Sequence, residues 1–292
     1  MTQYILGELI GSGTYGDVYE AFNAETRERV ALKRIRLNER EGMPGTALRE
    51  ISILKRLDHT NIIRLITIIH TDTLLTMVFP YIEYELKNYI LIHQNADRMN
   101  LIAQLACGID YLHKMNVIHR DIKPQNILVT HDGVLKIADF GLSRNMEVRV
   151  PPYSSEVVTL WYRSPELLVG NTSYRFYIDI WSLGCVVYEI MTMEPLFPGE
   201  SKENQLALIR RIAGARKPLM KFIESKEIPE TISNIIMGCI DLNYETRISM
   251  NEILRFLHSE GCSGVYSDVS RDIESVPVIH SNFNSKRPQN DV

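Results

Sequence analysis

Residues 119–126 constrain the fold of this chain more than any other stretch. They read His-Arg-Asp-Ile-Lys-Pro-Gln-Asn, and two short apolar runs follow, separated by a polar Thr-His-Asp-Gly turn. Apolar runs of this length, punctuated by turn residues, predict a β-hairpin that ends at Asp139. We expect the hairpin to bring Asp121, Asn126 and Asp139 towards one edge.

The chemistry of these three side chains predicts a site that handles phosphate. Carboxylate and amide oxygens are hard ligands suited to Mg²⁺ with phosphates, and a spare carboxylate can accept a hydroxyl proton. A solvated polar turn that matches by chance is the alternative. Against it, Phe140 and Gly141 follow Asp139, so a second motif stands in order at a workable spacing. The two motifs resemble a protein-kinase catalytic loop followed by its metal-binding turn.

The resemblance implies a role for each polar side chain of this loop. Asp121 is expected to accept the proton of the substrate hydroxyl, and Lys123 to neutralise charge on the transferred phosphoryl group. Asn126 and Asp139 are expected to hold Mg²⁺, with ATP as the phosphoryl donor. Lys123 also favours a serine/threonine kinase, because tyrosine kinases usually carry a different residue pattern there.

A glycine-rich segment, residues 11–16, lies between two predicted strands near the start of the chain. A dinucleotide-binding fold is the alternative, but there the glycines open a helix. Here β-branched and aromatic residues follow, and Ala-Leu-Lys comes at the distance of a third strand. These features favour a kinase loop that folds over phosphates, with Lys33 supplying a positive charge. The implied ATP-binding residues are Ile10, Gly11, Ser12, Gly13, Thr14, Tyr15, Gly16, Val18, Ala31, Lys33, Phe79, Pro80, Tyr81, Ile82, Glu85, Gln125, Asn126, Leu128 and Asp139.

A helix is predicted after Pro44, because apolar residues recur at helical spacing from Leu48 onward. Residues 44–50 read Pro-Gly-Thr-Ala-Leu-Arg-Glu, which resembles the cyclin-docking helix of cyclin-dependent kinases. The resemblance implies a cyclin partner on residues 44–50 and their neighbours. It also makes Glu50 the catalytic ion-pair partner of Lys33, held away from that lysine in the free chain. A solvated helix charge is the alternative for Glu50.

The function implied is that of a cyclin-dependent serine/threonine protein kinase, which transfers the ATP γ-phosphate to Ser/Thr-Pro sites in cell-cycle control. Gly45 and Leu48 depart from the usual cell-cycle pattern, so a transcription-linked or kinase-activating member is the alternative within the family. Residues 14–15 and 159–160 favour the cell-cycle branch. A pseudokinase scaffold is the alternative from another class, but it would lack a lysine, an aspartate or the glycine loop, and all are present here.

The resemblance also implies a regulatory set and a substrate pocket. The regulatory residues are Thr14, Tyr15, Ser154, Arg49, Arg120 and Arg144, and the pocket for the substrate proline is formed by Val157, Val158 and Arg163. Three arginines repel each other unless an anion gathers them, and a phosphate on Ser154 would supply it. A phosphate on residues 14–15 would add negative charge beside ATP and inhibit the enzyme. A structural serine and ordinary loop-tip residues are the alternatives.

The fold class expected is α+β, with the two lobes of a protein kinase and ATP between them. Residues 1–82 are expected to form a small antiparallel-sheet lobe with the glycine loop and the cyclin-docking helix. Residues 83–260 are expected to form a larger, mainly helical lobe with the catalytic loop and the activation segment. Residues 261–292 are polar and are expected to form a flexible tail. Glu166 and Arg247 are expected to form a buried pair.

Composition restricts the partners and the compartment. The net charge of −4 argues against a direct nucleic-acid binder, which would show a basic excess. The most apolar run, 178–193, contains two acidic residues and is too short to span a membrane. The cysteines lie far apart without metal-ligand spacing and are interpreted as thiols of a reducing compartment. We therefore expect a protein of the nucleus, the cytoplasm or both, with no membrane partner.

Overall fold

The computed structural model describes residues 3–13, 16–37, 43–145, 160–171, 175–262 and 278–280. The chain divides into two compact units. Unit 1 comprises Met1–Lys55, Arg64–Tyr81 and Ile273–Val292, and unit 2 comprises Arg56–Ile63 and Ile82–Asp272. The predicted lobe boundary after residue 82 therefore lies one residue from the observed change at Tyr81.

Unit 1 is built on a twisted sheet and one helix. Its elements up to Pro80 are β1 (Tyr4–Gly13), β2 (Gly16–Asn23), β3 (Arg29–Arg36), α1 (Gly45–Leu54), β4 (Thr67–His70) and β5 (Leu74–Pro80). Neighbouring strands among these five are antiparallel. Val30 and Leu32 of β3 are buried with Ala21 and Val78 in one apolar cluster. Successive side chains of a strand alternate between faces, so Lys33 points away from that cluster.

Unit 2 is mainly helical. Its elements are β6 (Tyr84–Glu85), α2 (Leu86–Ile92), α3 (Arg98–Lys114), β7 (Val117–Ile118), β8 (Ile127–Val129), β9 (Leu135–Ile137), β10 (Arg144–Asn145), α4 (Pro165–Leu168), α5 (Tyr177–Thr192), α6 (Lys202–Ala213), α7 (Arg216–Glu224), α8 (Glu230–Cys239) and α9 (Met250–Ser259). Strands β8 and β9 form the predicted hairpin, which β6 extends. The α+β class, with an antiparallel-sheet unit and a helical unit, is confirmed.

The core of unit 2 lies around α3 and α5, both of which are buried along most of their length. Gly184 of α5 allows α8 to approach closely, because a Cβ there would lie 2.5 Å from Cβ of Cys239. Burial raises the pKa of Cys107 to about 11 and that of Cys239 to about 12, so both remain protonated thiols at neutral pH. Cys107, Cys185 and Cys239 are buried thiols, whereas Cys262 is half-buried.

Two parts of the chain are placed differently from the prediction. Residues Arg56–Ile63 belong to unit 2, although they lie within the predicted small lobe. The reason is Asn61, whose buried Nδ2 donates to Gln104 Oε1 and to the Leu135 carbonyl, both at 3.0 Å. Those partners are distant in sequence, so the local pattern gave no sign of this attachment.

The second difference is in the segment predicted to be a flexible polar tail. Within it, Val278–His280 forms a strand, β11, which pairs in parallel with β4. The sheet of unit 1 therefore has the order β1-β2-β3-β5-β4-β11. Two β-branched residues favour a strand, but three residues are too few for a periodic pattern to be recognised.

Among the described residues, none of the helices has the length and apolar character needed to cross a membrane.

A buried ion pair joins two distant segments of unit 2, as the sequence predicted. Arg247 donates from Nη1 and Nη2 to the two carboxylate oxygens of Glu166, at 2.6 and 2.9 Å. Nη1 also donates to the Tyr177 carbonyl at 2.9 Å. The two side chains are only 1% and 7% exposed, so each charge depends on its partner for stabilisation.

Arg247→Ala should therefore destabilise the protein by about 3–5 kcal/mol, because it leaves the Glu166 carboxylate buried without its partner. The free energy of unfolding is measured by urea titration. Lys226→Ala is the matched control, since Lys226 pairs with Glu194 at 2.6 Å but on the surface. Equal effects of the two substitutions would contradict the importance of the buried pair.

Candidate active site

The catalytic loop of unit 2 is held by the buried carboxylate of Asp179. Asp179 Oδ2 accepts a hydrogen bond from the His119 backbone N–H at 2.9 Å, and Oδ1 accepts one from Arg120 N–H at 2.8 Å. His113 Nε2 lies 3.0 Å from Oδ2. Burial alone would raise the pKa of Asp179, but the hydrogen bonds and the nearby His113 outweigh it and lower the pKa. The carboxylate therefore remains ionised and fixes the loop backbone.

Three polar side chains of the loop meet at Asp121. Lys123 Nζ lies 2.7 Å from Asp121 Oδ2, and Asn126 Nδ2 donates to the same oxygen at 2.8 Å. Asn126 Nδ2 also donates to the Asp121 backbone carbonyl at 2.8 Å. Lys123 and Asn126 both contact Oδ2, and no described residue bonds to Oδ1, so this second oxygen can accept a proton. The loop therefore presents an oriented carboxylate next to a cation.

The turn that begins at Asp139, which the sequence predicts to bind a metal ion, lies against this loop. The Ala138 N–H donates to the Asn126 carbonyl at 2.8 Å, which brings Asp139 beside Asn126 along the backbone. Asp139 adopts a left-handed conformation with φ of 58°, and its carboxylate accepts from Gly141 N–H at 3.4 Å. Aspartate tolerates this conformation better than most residues, and such backbone strain is concentrated at functional sites.

The donor set of this turn suits a hard divalent cation. Both acceptors of Asn126 Nδ2 are oxygens of Asp121, so the amide orientation is settled and its oxygen is left for another contact. An amide oxygen and the Asp139 carboxylate are ligands that Mg²⁺ binds together with phosphate oxygens. The described ranges contain no group of three or more His, Cys, Asp or Glu side chains that could hold a metal ion. A metal ion at this turn would therefore take phosphate oxygens as further ligands.

His119 is a site residue to which sequence reasoning gave no role. Its Nε2 lies 3.1 Å from the Ala138 carbonyl, and its Nδ1 lies 3.3 Å from the Asp121 backbone nitrogen. The ring also packs edge-on against Phe140, with 4.9 Å between ring centroids. This histidine therefore connects the catalytic loop to the metal-binding turn. Its position as the first residue of the 119–126 motif was the sequence signal that could have identified it as a site residue.

Unit 1 contains the predicted lysine–glutamate pair. Lys33 Nζ lies 2.8 and 2.9 Å from the two carboxylate oxygens of Glu50, and Glu50 is only 2% exposed. Sequence reasoning expected Glu50 to be held away from Lys33 in the free chain, and this expectation is wrong for the structure of the single chain. Glu50 shares the buried face of α1 with Ala47, Ile53 and Leu54, so helical spacing turns it inward, where a carboxylate needs a cation.

Cross-strand pairing places several of the predicted ATP-binding residues of unit 1 in one row. Gly11 lies opposite Val18, and Val18 lies opposite Lys33. Ala31 is paired with Phe79. Gly16 has φ of 138°, and a Cβ there would lie 2.4 Å from the Arg34 carbonyl oxygen, so only glycine fits.

The remaining predicted ATP-binding residues fall in both units. Ile10, Ser12 and Gly13 are in β1, Pro80 ends β5, and Tyr81 ends the second segment of unit 1. In unit 2, Ile82 is followed by Glu85, which pairs with Leu128 between β6 and β8, and Gln125 is exposed on the loop. Thr14 and Tyr15 lie outside the described residues.

The predicted regulatory arginines are also divided between the units. Arg49 lies on α1 of unit 1. In unit 2, Arg120 Nη1 donates to the Leu142 carbonyl at 3.3 Å, and Arg144 pairs with Ile118 between β10 and β7. Arg120 therefore bonds to the backbone just before β10, the strand that carries Arg144. Arg163 is half-buried in unit 2, whereas Ser154, Val157 and Val158 lie outside the described residues.

Comparison with known proteins identifies the family to which this fold belongs. A model described as the protein kinase domain matches residues 4–257. A probable cell division protein kinase of Encephalitozoon cuniculi (strain GB-M1) is 69% identical over 261 residues, which cover 89% of this chain and 98% of that protein. Cyclin-dependent kinase 17 of Caenorhabditis elegans is 48% identical over 213 residues, which cover 72% of this chain and 32% of that protein.

Asp121→Asn tests the chemistry of the loop. The substitution should lower phosphoryl transfer by about 10²–10⁴-fold, because the group that accepts the proton is removed. ATP affinity should be retained, because Asn126 and Asp139 are unchanged. Transfer is followed with labelled ATP, and binding with a fluorescent ATP analogue.

Asp132→Asn is the matched control, since Asp132 lies in the exposed turn between β8 and β9 of the same unit. It should leave both quantities unchanged. Turnover of Asp121→Asn at the wild-type rate would remove Asp121 from the mechanism.

Proposed function

Because the chain belongs to the protein kinase family and, within it, to the cyclin-dependent kinases, we propose that it phosphorylates Ser/Thr-Pro sites of proteins in cell-cycle control when bound to a cyclin. The enzyme is a protein serine/threonine kinase, and a kinase domain uses ATP with a divalent metal ion. The observation that carries the proposal is the group formed by Asp121, Lys123 and Asn126, in which one carboxylate is oriented by two donors.

The proposed mechanism begins at Asp121. Its carboxylate accepts the proton of the substrate Ser or Thr hydroxyl as that oxygen attacks the γ-phosphorus of ATP, and the bond from this phosphorus to the bridging oxygen breaks to release ADP. Lys123, which lies beside the same carboxylate, supplies positive charge where the phosphoryl oxygens develop negative charge. Mg²⁺ is the proposed metal, and when bound it neutralises charge on the phosphate oxygens. Asn126 and Asp139 are the residues suited to hold it.

Lys33 is proposed to bind the phosphates of ATP through its ammonium group. Glu50 accepts from that group with both of its oxygens, so it fixes the lysine in one direction rather than leaving it mobile. The glycines of residues 11–16, where β1 and β2 pair, allow the backbone to approach the phosphates of ATP closely. Loss of the Glu50 carboxylate would release Lys33 and weaken its orientation towards ATP.

A cyclin is the proposed partner, and α1 is the proposed docking surface. Leu48 on this helix is 51% exposed, although it is apolar, and it lies opposite the face that carries Glu50. Since the pair of Lys33 and Glu50 is already formed in the single chain, we propose that cyclin stabilises this arrangement rather than creating it. A preference of a few kcal/mol for the paired state is enough to shift the population.

The cell-cycle assignment is supported by the similarity to a probable cell division protein kinase of Encephalitozoon cuniculi. A transcription-linked or kinase-activating role is the second candidate, which Gly45 and Leu48 favour. A location in the nucleus, the cytoplasm or both would suit either role. A pseudokinase scaffold is disfavoured because the lysine, the aspartates and the glycine segment are all present.

Two further features of regulation and specificity belong to the proposal. Arg163 is proposed to help form the pocket for the substrate proline with residues 157–158. A phosphate on Ser154 is proposed to order the activation segment by binding Arg49, Arg120 and Arg144. A phosphate on residues 14–15 would inhibit. Arg120 bonds to the Leu142 carbonyl, two residues before Arg144, and this supports an anion site in unit 2.

A matched pair of peptides tests the proposed function. The two peptides differ only in the residue after the phospho-acceptor, which is proline in one and alanine in the other. The protein with a cell-cycle cyclin should phosphorylate the Ser-Pro peptide at least about tenfold more efficiently, a difference of about 1.4 kcal/mol in transition-state binding. Efficiency is measured as kcat/KM with labelled ATP.

The same assay without cyclin should give a markedly lower rate with the Ser-Pro peptide. Equal efficiencies for the two peptides would refute the proline preference. A full rate without cyclin would refute cyclin dependence, and no transfer to any protein substrate would support a scaffold.

A further inference from the structure

The sixth strand of unit 1 comes from outside the family domain. The protein kinase model ends at residue 257, whereas β11 is Val278–His280. The match to the relative from Encephalitozoon cuniculi covers 98% of that protein but only 89% of this chain. About a tenth of this chain is therefore additional to that match, so the properties of β11 do not follow from membership of the family.

Strand β11 covers an edge that the rest of the sheet leaves open. Strand β4 pairs with β5 on one side, and β11 pairs with it on the other, in parallel. Without β11, β4 would be the last strand of the sheet in the described part of the chain, and it would lose the strand that pairs with it on that side. An open edge of this kind pairs readily with an extended segment, and here the occupant is a segment of the same chain.

The pairing register connects β11 to the ATP-binding part of the sheet. Val278 lies opposite Ile68 in β4, and Ile68 lies opposite Met77 in β5. Met77 in turn lies opposite Lys33, which lies opposite Val18 next to the glycine segment. One continuous row of cross-strand partners therefore runs from the C-terminal strand to the lysine that pairs with Glu50.

We propose that residues 278–280 are a docked strand that secures the β4 edge, and that docking of this strand strengthens the binding of ATP. The surface is the open edge of β4, and its partner is the extended segment Val278–His280 of the same chain. Release of the segment would leave β4 as a free edge and loosen the sheet that positions Lys33. The second part rests on the proposed function, because it takes Lys33 as an ATP ligand.

Adjacent proline substitutions in the full-length chain test the pairing without removing the segment. Successive backbone N–H groups of a strand point to opposite sides, so only one of the two residues Val278 and Ile279 donates towards β4. Proline has no N–H and is tolerated in an edge strand only where that group faces solvent. Val278→Pro and Ile279→Pro are therefore matched controls for each other.

Two readouts separate docking from its effect on ATP. Hydrogen exchange at β4, followed by mass spectrometry, reports whether the edge is covered. Titration with a fluorescent ATP analogue reports the consequence for binding. We expect one of the two variants to raise the hydrogen-exchange rate of β4 about tenfold and to lower the affinity for the ATP analogue about threefold. The other variant should behave as the wild type.

If both variants showed the wild-type hydrogen-exchange rate at β4, or if both accelerated it equally, the proposal that residues 278–280 dock on β4 would be overturned. Accelerated exchange in one variant with unchanged analogue affinity would overturn the coupling to ATP. A wild-type chain that does not bind the analogue would instead count against the proposed function, while the exchange readout would still decide the docking. Dimers of the wild type that dissociate in one proline variant would overturn docking within a single chain.

Discussion

The buried carboxylate of Asp179 is the contact on which the candidate active site depends. It accepts hydrogen bonds from the backbone N–H groups of His119 and Arg120, the two residues that precede Asp121. Arg120 has a positive φ of 72°, which a non-glycine residue adopts at a cost. The two hydrogen bonds compensate that cost and aim the next residue into the site. Asp121 is thus oriented by a group that takes no part in the proposed chemistry.

The ionisation of Asp179 also sets the pH range in which its carboxylate stabilises the loop. Its pKa is lowered in the fold, so the unfolded chain takes up a proton first as the pH falls. The stability that it contributes is complete above the ordinary aspartate pKa of about 3.9 and is lost as the pH falls through the lowered value. The support is therefore constant throughout the neutral range. Unit 1 follows the same physical rule, because Glu50 is buried only together with Lys33.

The sequence predicted most of what depends on local pattern. The hairpin after Asn126, the helix that carries Glu50 and the pairing of Glu166 with Arg247 all follow from motif spacing or from the family resemblance. Three features depended on contacts between distant segments and were not predicted: the attachment of Asn61 to unit 2, the pairing of β11 with β4, and the closed pair of Lys33 and Glu50 in a single chain. Each depends on a partner that is distant in sequence, and a local window does not contain that partner.

Asp179→Asn tests the central claim most directly, because asparagine keeps the size of the side chain but removes its charge. Kinetics are measured with the cyclin-bound enzyme and a Ser-Pro peptide, together with the affinity for ATP. We expect a fall in kcat of about 10²-fold from misplacement of Asp121, with ATP affinity and the KM for the peptide unchanged. A wild-type kcat, or an equal loss of ATP binding, would contradict the claim that this buried carboxylate positions the catalytic loop.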